Sequence, residues 1–262
     1  MKYAAMIQAR CGSSRLPGKV LKDLCGKPCL QRMIERVRKS RLLDEVMVVT
    51  SMEKKDLPVL KLCAETGVRV FAGSEEDVLD RYYQAARLLK PEYVIRLTAD
   101  CPCFDWKLLD LALESLDEKT DYLGMMTQTF ADGLDLEILK FSALEQSWKQ
   151  AVHLFEREHV TQYVKRHPEQ FVLQDFVSET GYFGDQRWTV DEPEDFEVVR
   201  YIFEYFLQER KKEDFGYADI LEYMKQHPEV RALNSRYQRD EGLRRSIREE
   251  ALLRPRRQCQ EG

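Results

Sequence analysis

At 262 residues, with 44% apolar and 33% charged side chains, the chain has the length and composition to bury the core of one large α/β domain, which excludes a disordered polypeptide. No apolar run reaches the roughly 18 residues of a membrane span, and polar residues from Gln8 onward interrupt anything like a secretory signal, so a soluble, cytoplasmic protein with no membrane partner is expected. A net charge of −5 removes the basic footprint of a nucleic-acid binder, and any phosphate binding must then be local.

Tyr3 to Ala9 is a short, nearly continuous apolar run, the signature of a strand buried on both faces of a parallel sheet. Leu30, Met33, Ile34 and Val37 follow at helical spacing, and the β-branched run from Glu45 to Thr50 reads as a second strand, completing a βαβ unit. The alternation continues with a helix from Leu57 to Thr66, a strand from Val68 to Phe71, and a helix opened by the box Ser74-Glu75-Glu76-Asp77. A strand from Tyr93 to Leu97, a helix from Trp106 to Leu116 and a strand from Tyr122 to Met126 come next. Such alternation argues for a mostly parallel, doubly wound sheet. Beyond Gly133 the spacing predicts strands at Leu136–Leu139, Phe171–Phe176 and Arg187–Val190, helices at Ser142–Gln150 and Glu156–Arg166, and a closing helix begun by Pro193. Residues 1–228 therefore form one domain, with a nucleotide half to about 130 and an acceptor half after it. Residues 229–262, rich in Arg and Glu, read as an exposed or oligomer-bound tail.

Two segments carry chemistry. After the first strand come Arg10, Arg15 and Lys19, interleaved with Gly12, Ser13, Ser14 and Gly18. In an open α/β sheet the ligand lies beyond the carboxyl ends of the strands, and such a loop suits a triphosphate, with forked guanidinium groups and a point-charge ammonium. It is not a P-loop, because Gly12 and Gly18 lie six apart and Val20 follows Lys19; a solvated basic turn is the alternative. Asp100 and Asp191 each directly follow a strand, where two carboxylates beside a triphosphate suit Mg²⁺. Their alternatives are a turn residue before Pro102 and a helix N-cap before Pro193. Cys11, Cys25, Cys29, Cys63, Cys101, Cys103 and Cys259 show no C-x-x-C spacing and read as reduced thiols.

The stretches IQARCGSSRLPGKVLKDLCGKP, SEEDVLDRYYQAA, RLTADCP, TFADGLDLEI, EREHVTQYV and RWTVDEPEDF, in order from Lys2 to Phe196, strongly resemble cytidylyltransferase-like proteins of the spore-coat polysaccharide biosynthesis protein F type. These are similar to acylneuraminate and 3-deoxy-manno-octulosonate (KDO) cytidylyltransferases. The resemblance implies a Rossmann-like nucleotidyltransferase fold of three layers (GT-A-like), CTP as co-substrate and Mg²⁺ as cofactor. It places Arg10, Ser13, Arg15 and Lys19 on the phosphates with Ala9 and Gly12 beside them, Asp80 and Arg81 near base or ribose, and Asp100 and Asp191 on the metal. Thr98 stands at the base, where KDO-type enzymes carry Gln. Asp132, Asp135, Glu137, Arg157, Glu158, His159 and Arg187 would shape the acceptor pocket. Arg10, Lys19, Asp100 and Asp191 would carry catalysis. The implied reaction moves CMP from CTP to a small acceptor such as a sugar acid, releasing pyrophosphate, and the implied assembly is a homodimer. A different nucleotide donor, a nucleotide-sugar glycosyltransferase and a nucleotide-binding protein without catalysis are the competing readings.

Overall fold

The computed structural model describes residues 1–258. Strands β1 (Tyr3–Gln8), β2 (Glu45–Ser51), β3 (Arg69–Gly73) and β4 (Tyr93–Thr98) alternate with helices α1 (Cys29–Val37), α2 (Leu57–Glu65) and α3 (Val78–Leu89). The second half supplies α4 (Trp106–Glu114), β5 (Tyr122–Gly124), β6 (Glu137–Lys140), α5 (Phe141–Gln150), α6 (Leu154–Glu158), α7 (Gln162–Arg166) and β7 (Leu173–Asp175). Helices α8 (Pro193–Glu204), α9 (Tyr217–Gln226), α10 (Pro228–Ala232) and α11 (Glu241–Gln258) close the described chain. The seven strands run in the order β3-β2-β1-β4-β6-β5-β7, and only β6 is antiparallel to its neighbours.

Alternation along β1 builds three layers. Tyr3, Ala5 and Ile7 face one apolar cluster shared with α1, α2, α4, α8 and α9, while Met6 faces a second shared with α3, α5 and α7. Because β1 lies between β2 and β4, the direction of winding reverses there, and a crevice opens beyond the carboxyl ends of β1 and β4. Gln8 pairs with Thr98 at that edge, so the loops after both strands start side by side.

Four expectations need correction. Arg187–Val190 is extended but belongs to no sheet: Arg187 forms an isolated bridge with Asp132, and the Trp188 and Val190 amides donate to the Asp132 and Asp100 carbonyls. The single helix expected over Glu156–Arg166 is split into α6 and α7 at Val160, whose φ of 49° a β-branched residue adopts only under constraint. Helix α3 begins at Asp77, whose carboxylate accepts from the Asp80 amide, whereas Ser74 accepts from Asp77 in the turn before it. The segment after 228, expected as an exposed or oligomer-bound tail, is built into the domain at Asn234, which is buried, and among the described residues carries most of α10 and all of α11.

Candidate active site

The loop after β1 is held in shape by its own backbone and by a buried acid. Gly18, at φ 67°, adopts the left-handed conformation that lets its amide close back on the Cys11 carbonyl at 3.1 Å, and Lys19 opens a 3₁₀ turn immediately after it. The Cys11 amide donates to buried Asp56 at 2.7 Å, and burial, reinforced by Asp56, pushes the Cys11 thiol up to about 11. Cys11 and the five other described cysteines are free thiols, and Cys259 lies outside the described residues.

The two distant acids meet. Lys19 Nζ donates to Asp100 Oδ2 at 2.7 Å and to Asp191 Oδ1 at 2.5 Å. Burial alone would raise Asp100, but the Lys19 ammonium more than offsets it and holds the carboxyl at about 2. Backbone stitching explains the approach: the Val190 amide and the Thr189 hydroxyl both donate to the Asp100 carbonyl, so residue 191 leaves the segment next to residue 100. Arg187 then fixes Asp191 from behind, pairing with Asp191 Oδ2 at 3.1 Å while also binding Asp132 and Asp195.

Asp195, which the sequence reading passed over, organises this corner. Fully buried, it accepts from the amides of Asp191 and Glu192, from Arg187 and from Asn234. Glu192, not Asp191, is the N-cap of α8, which frees Asp191 to face the loop. Gly133 completes the arrangement: at φ 104°, a Cβ there would stand 2.6 Å from the Thr189 amide nitrogen, so only glycine lets Asp132 lie against Arg187.

Around these groups runs a cleft of about 640 Å³, with a smaller hollow at the β1 loop formed by Arg10, Gly12, Ser13, Arg15, Lys19, Asp100 and Asp191. Arg10, Arg15, Thr98, Asp132, Asp135, Glu137, His159 and Arg187 all face the main cleft. Ala9 is buried behind it, its amide bonded to Val49. Arg10 reaches the Glu75 carbonyl, and Arg15 is held by Glu192 at 2.9 Å and by Glu241 of α11 at 3.4 Å. Ser13 accepts from the Leu16 amide.

Three residues expected in the site are used elsewhere. Asp80 turns toward α5, accepting from Trp148 Nε1 at 2.8 Å and from Gln84, so the Asp80-Arg81 pair divides. Arg157 clasps Asp77 with both sides of its fork and reaches the Trp148 carbonyl, which fastens α6 to α3 and α5. Glu158 accepts from Ser246 of α11. Arg81 itself is enclosed, with no partner for any of its three guanidinium nitrogens; burial, then the nearby Arg10, lower it to about 10.

Several cleft residues were missed. Arg96, Tyr122, Thr161 and Lys165 surround Glu137, and Gln238 to Leu243 enter from the C-terminal segment, with Arg239 bound to Asp135 and to the Phe130 carbonyl. Arg96 was detectable, since a cation inside the apolar run Tyr93–Thr98 needs a reason; the others depend on long-range pairing. Among the described residues no group of three or more His, Cys, Asp or Glu is placed to hold a metal. A two-carboxylate pair nevertheless suits a hard divalent ion that takes its remaining ligands from phosphate and water, and Asp100 and Asp191 already close around one cation, the Lys19 ammonium.

The family model for cytidylyltransferases matches residues 4–236. The chain belongs to the cytidylyltransferase family. This cytidylyltransferase is 32% identical to the spore coat polysaccharide biosynthesis protein SpsF of Bacillus subtilis, over 86% of this chain and 95% of that one. A solved cytidylyltransferase from Leptospira borgpetersenii serovar Hardjo-bovis is similar with a TM-score of 0.84 and 34% identity, covering 91% of this chain and 100% of that one. The fold also resembles a CMP:2-keto-3-deoxy-manno-octonic acid synthetase complexed with CTP, with a TM-score of 0.59 and 18% identity over 77% of this chain and 98% of that one. The protein is a nucleotidyltransferase with an α/β fold built on a mostly parallel seven-stranded sheet. Among the described residues no helix is long and apolar enough to cross a membrane.

Proposed function

We propose that the protein transfers CMP from CTP to a small, sugar-acid-like acceptor in a Mg²⁺-dependent reaction that releases pyrophosphate. The observation that carries this reading is the convergence of Lys19, Asp100 and Asp191 within 2.7 Å at the mouth of the β1 loop. An acceptor hydroxyl oxygen forms a bond to the α-phosphorus as the bond from that phosphorus to the α,β-bridging oxygen breaks; pyrophosphate leaves, and the hydroxyl proton is released to water. Such transfers depend mainly on positioning and on neutralising phosphate charge. Asp100 and Asp191 would hold the divalent ion, which when bound supplies charge neutralisation at the phosphates. Arg10 and Arg15 grip the triphosphate as forks, and Lys19 follows the charge that develops on the leaving group. Arg187 is a positioning residue, since its three carboxylate partners occupy it.

The test is pyrophosphate release from CTP with Mg²⁺ and a panel of sugar acids, for the wild type, Asp100→Asn and Asp191→Asn. Each substitution is expected to cut turnover by about 100-fold or more, with melting temperatures close to the wild type. Undiminished release in both variants would overturn the assignment. Thermal stabilisation by UTP or a UDP-sugar, and not by CTP, would move the donor to another nucleotide.

A further inference from the structure

We propose that the cleft carries an oxyanion site, formed by Lys165 and Arg96 around Glu137, that takes the anionic group of the acceptor. This rests on the transfer reaction above and specifies one feature of its acceptor, a carboxylate or phosphonate displayed toward α7.

The argument begins with a charge in the wrong kind of strand. Arg96 lies in β4, a central strand, directly opposite Glu137 of β6, and the two pair at 2.5 Å. One cation would neutralise that acid. A second is present: Lys165 of α7 reaches the other Glu137 oxygen at 2.8 Å. That same oxygen also accepts from Tyr122 and Thr161, both at 2.7 Å, so Glu137 is saturated with donors and has nothing to offer a substrate hydroxyl. The remaining acids of the cleft are engaged elsewhere: Asp132 with Arg187, Asp135 with Arg239, Asp100 and Asp191 with Lys19, Glu241 with Arg15, and Asp240 with the Gln128 side-chain amide.

The corner thus holds two cations on one carboxylate, at side-chain exposures of 18% for Arg96, 31% for Lys165 and 11% for Glu137. A surplus positive charge in so enclosed a place is costly unless an anion arrives to balance it. Arg96 Nε is shut off from solvent without a hydrogen-bond partner, so not every donor of this cation is satisfied by Glu137. Lys165 is the accessible member and would meet the oxyanion directly, with Arg96 reinforcing the field from behind; Thr161 and Gln162 line the same wall with polar groups.

The experiment uses the full chain as wild type, Lys165→Met and Lys165→Arg, with the nucleotide site filled by a hydrolysis-resistant CTP analogue and Mg²⁺. Acetate, methylphosphonate and the neutral isostere acetamide are titrated by calorimetry. Wild type and Lys165→Arg should bind one of the anions at least tenfold more tightly than acetamide, and Lys165→Met should lose that preference; the better anion identifies the oxyanion. The proposal is overturned if neither anion outdoes acetamide on the wild type, or if Lys165→Met retains the preference. Stabilisation by the analogue itself is measured in parallel: its absence in the wild type would sink the transfer reaction, whereas its presence without anion preference sinks only this site.

Discussion

Lys19 shows how one side chain can make two remote acids into a site. Its ammonium, nine-tenths buried, is kept charged by Asp100 and Asp191, whose attraction outweighs the burial that would otherwise lower it. His159 presents the opposite case. Its Nε2 lies 3.1 Å from the Ser246 hydroxyl, which also faces Glu158 and the Gly242 carbonyl. Burial lowers the His159 pKa below 6.5 despite the partial opposition of Glu158. A base whose folded-state pKa lies below its unfolded value stabilises the protein above the unfolded value, and that stability is lost as pH falls. Chemical denaturation of the wild type should therefore show stability falling as pH is lowered below 6.5, and His159→Gln should flatten that decline; parallel profiles would contradict the assignment. Gly133 sets a steric rather than electrostatic limit. Gly133→Ala would force both a strained φ and a clash with the Thr189 amide, and should destabilise by roughly 2 to 4 kcal/mol in urea titration. A change within about 0.5 kcal/mol would mean that the 188–189 backbone moves aside freely.

Among the elements, the strands that frame the crevice were readable because β1, β2 and β4 are buried on both sides and so carry apolar runs, interrupted in β4 only by Arg96. Arg187–Val190 misled for the same reason, since Trp188 and Val190 are buried in the main apolar cluster too, but the segment's backbone bonds Asp132 and Asp100 instead of a sheet strand. Periodicity reports burial, not the partner. The loop residues Arg10, Arg15 and Lys19 and the acid Asp100 were accessible to sequence reasoning because they follow β1 and β4, and Asp191 because it follows an apolar run that reads like a strand. Asp195, Lys165 and Arg239 were not, because their roles exist only once separate segments meet. Helix α11 is the largest such omission. It reaches Arg15 through Glu241, His159 and Glu158 through Ser246, and the start of α6 through Glu250. On the phosphate-gripping role proposed for Arg15, Glu241 would compete with the triphosphate for it. Glu241→Gln should tighten binding of a CTP analogue by a few-fold, the scale expected of a partly exposed ion pair worth at most about 1 kcal/mol, and calorimetric affinities equal to those of the wild type would show that Arg15 is not the contested group.

At the scale of the whole molecule, the apolar core and the cleft draw on different stretches of chain. The two buried clusters take their last member from Val230, whereas the cleft continues to recruit residues as far as Leu243. Stability and site completeness are thereby separable. Asn234 bonds the Arg187 carbonyl and Asp195, so the chain must be retained through that residue to preserve the corner that aims Asp191. Ending the protein after Tyr237 would keep both clusters and Asn234 but remove Arg239, Glu241 and Ser246 together with α11. Loss of Arg239 leaves Asp135 without its cation, and loss of Glu241 leaves Arg15 with Asp191 and Glu192. The shortened protein is expected to melt cooperatively, within roughly 10 °C of the full chain, and to keep thermal stabilisation by a CTP analogue, because Arg10, Lys19, Asp100 and Asp191 are untouched. Acceptor-dependent pyrophosphate release should fall steeply. Loss of cooperative melting would instead assign α11 to the folding core, and unchanged release would place the acceptor away from the C-terminal segment.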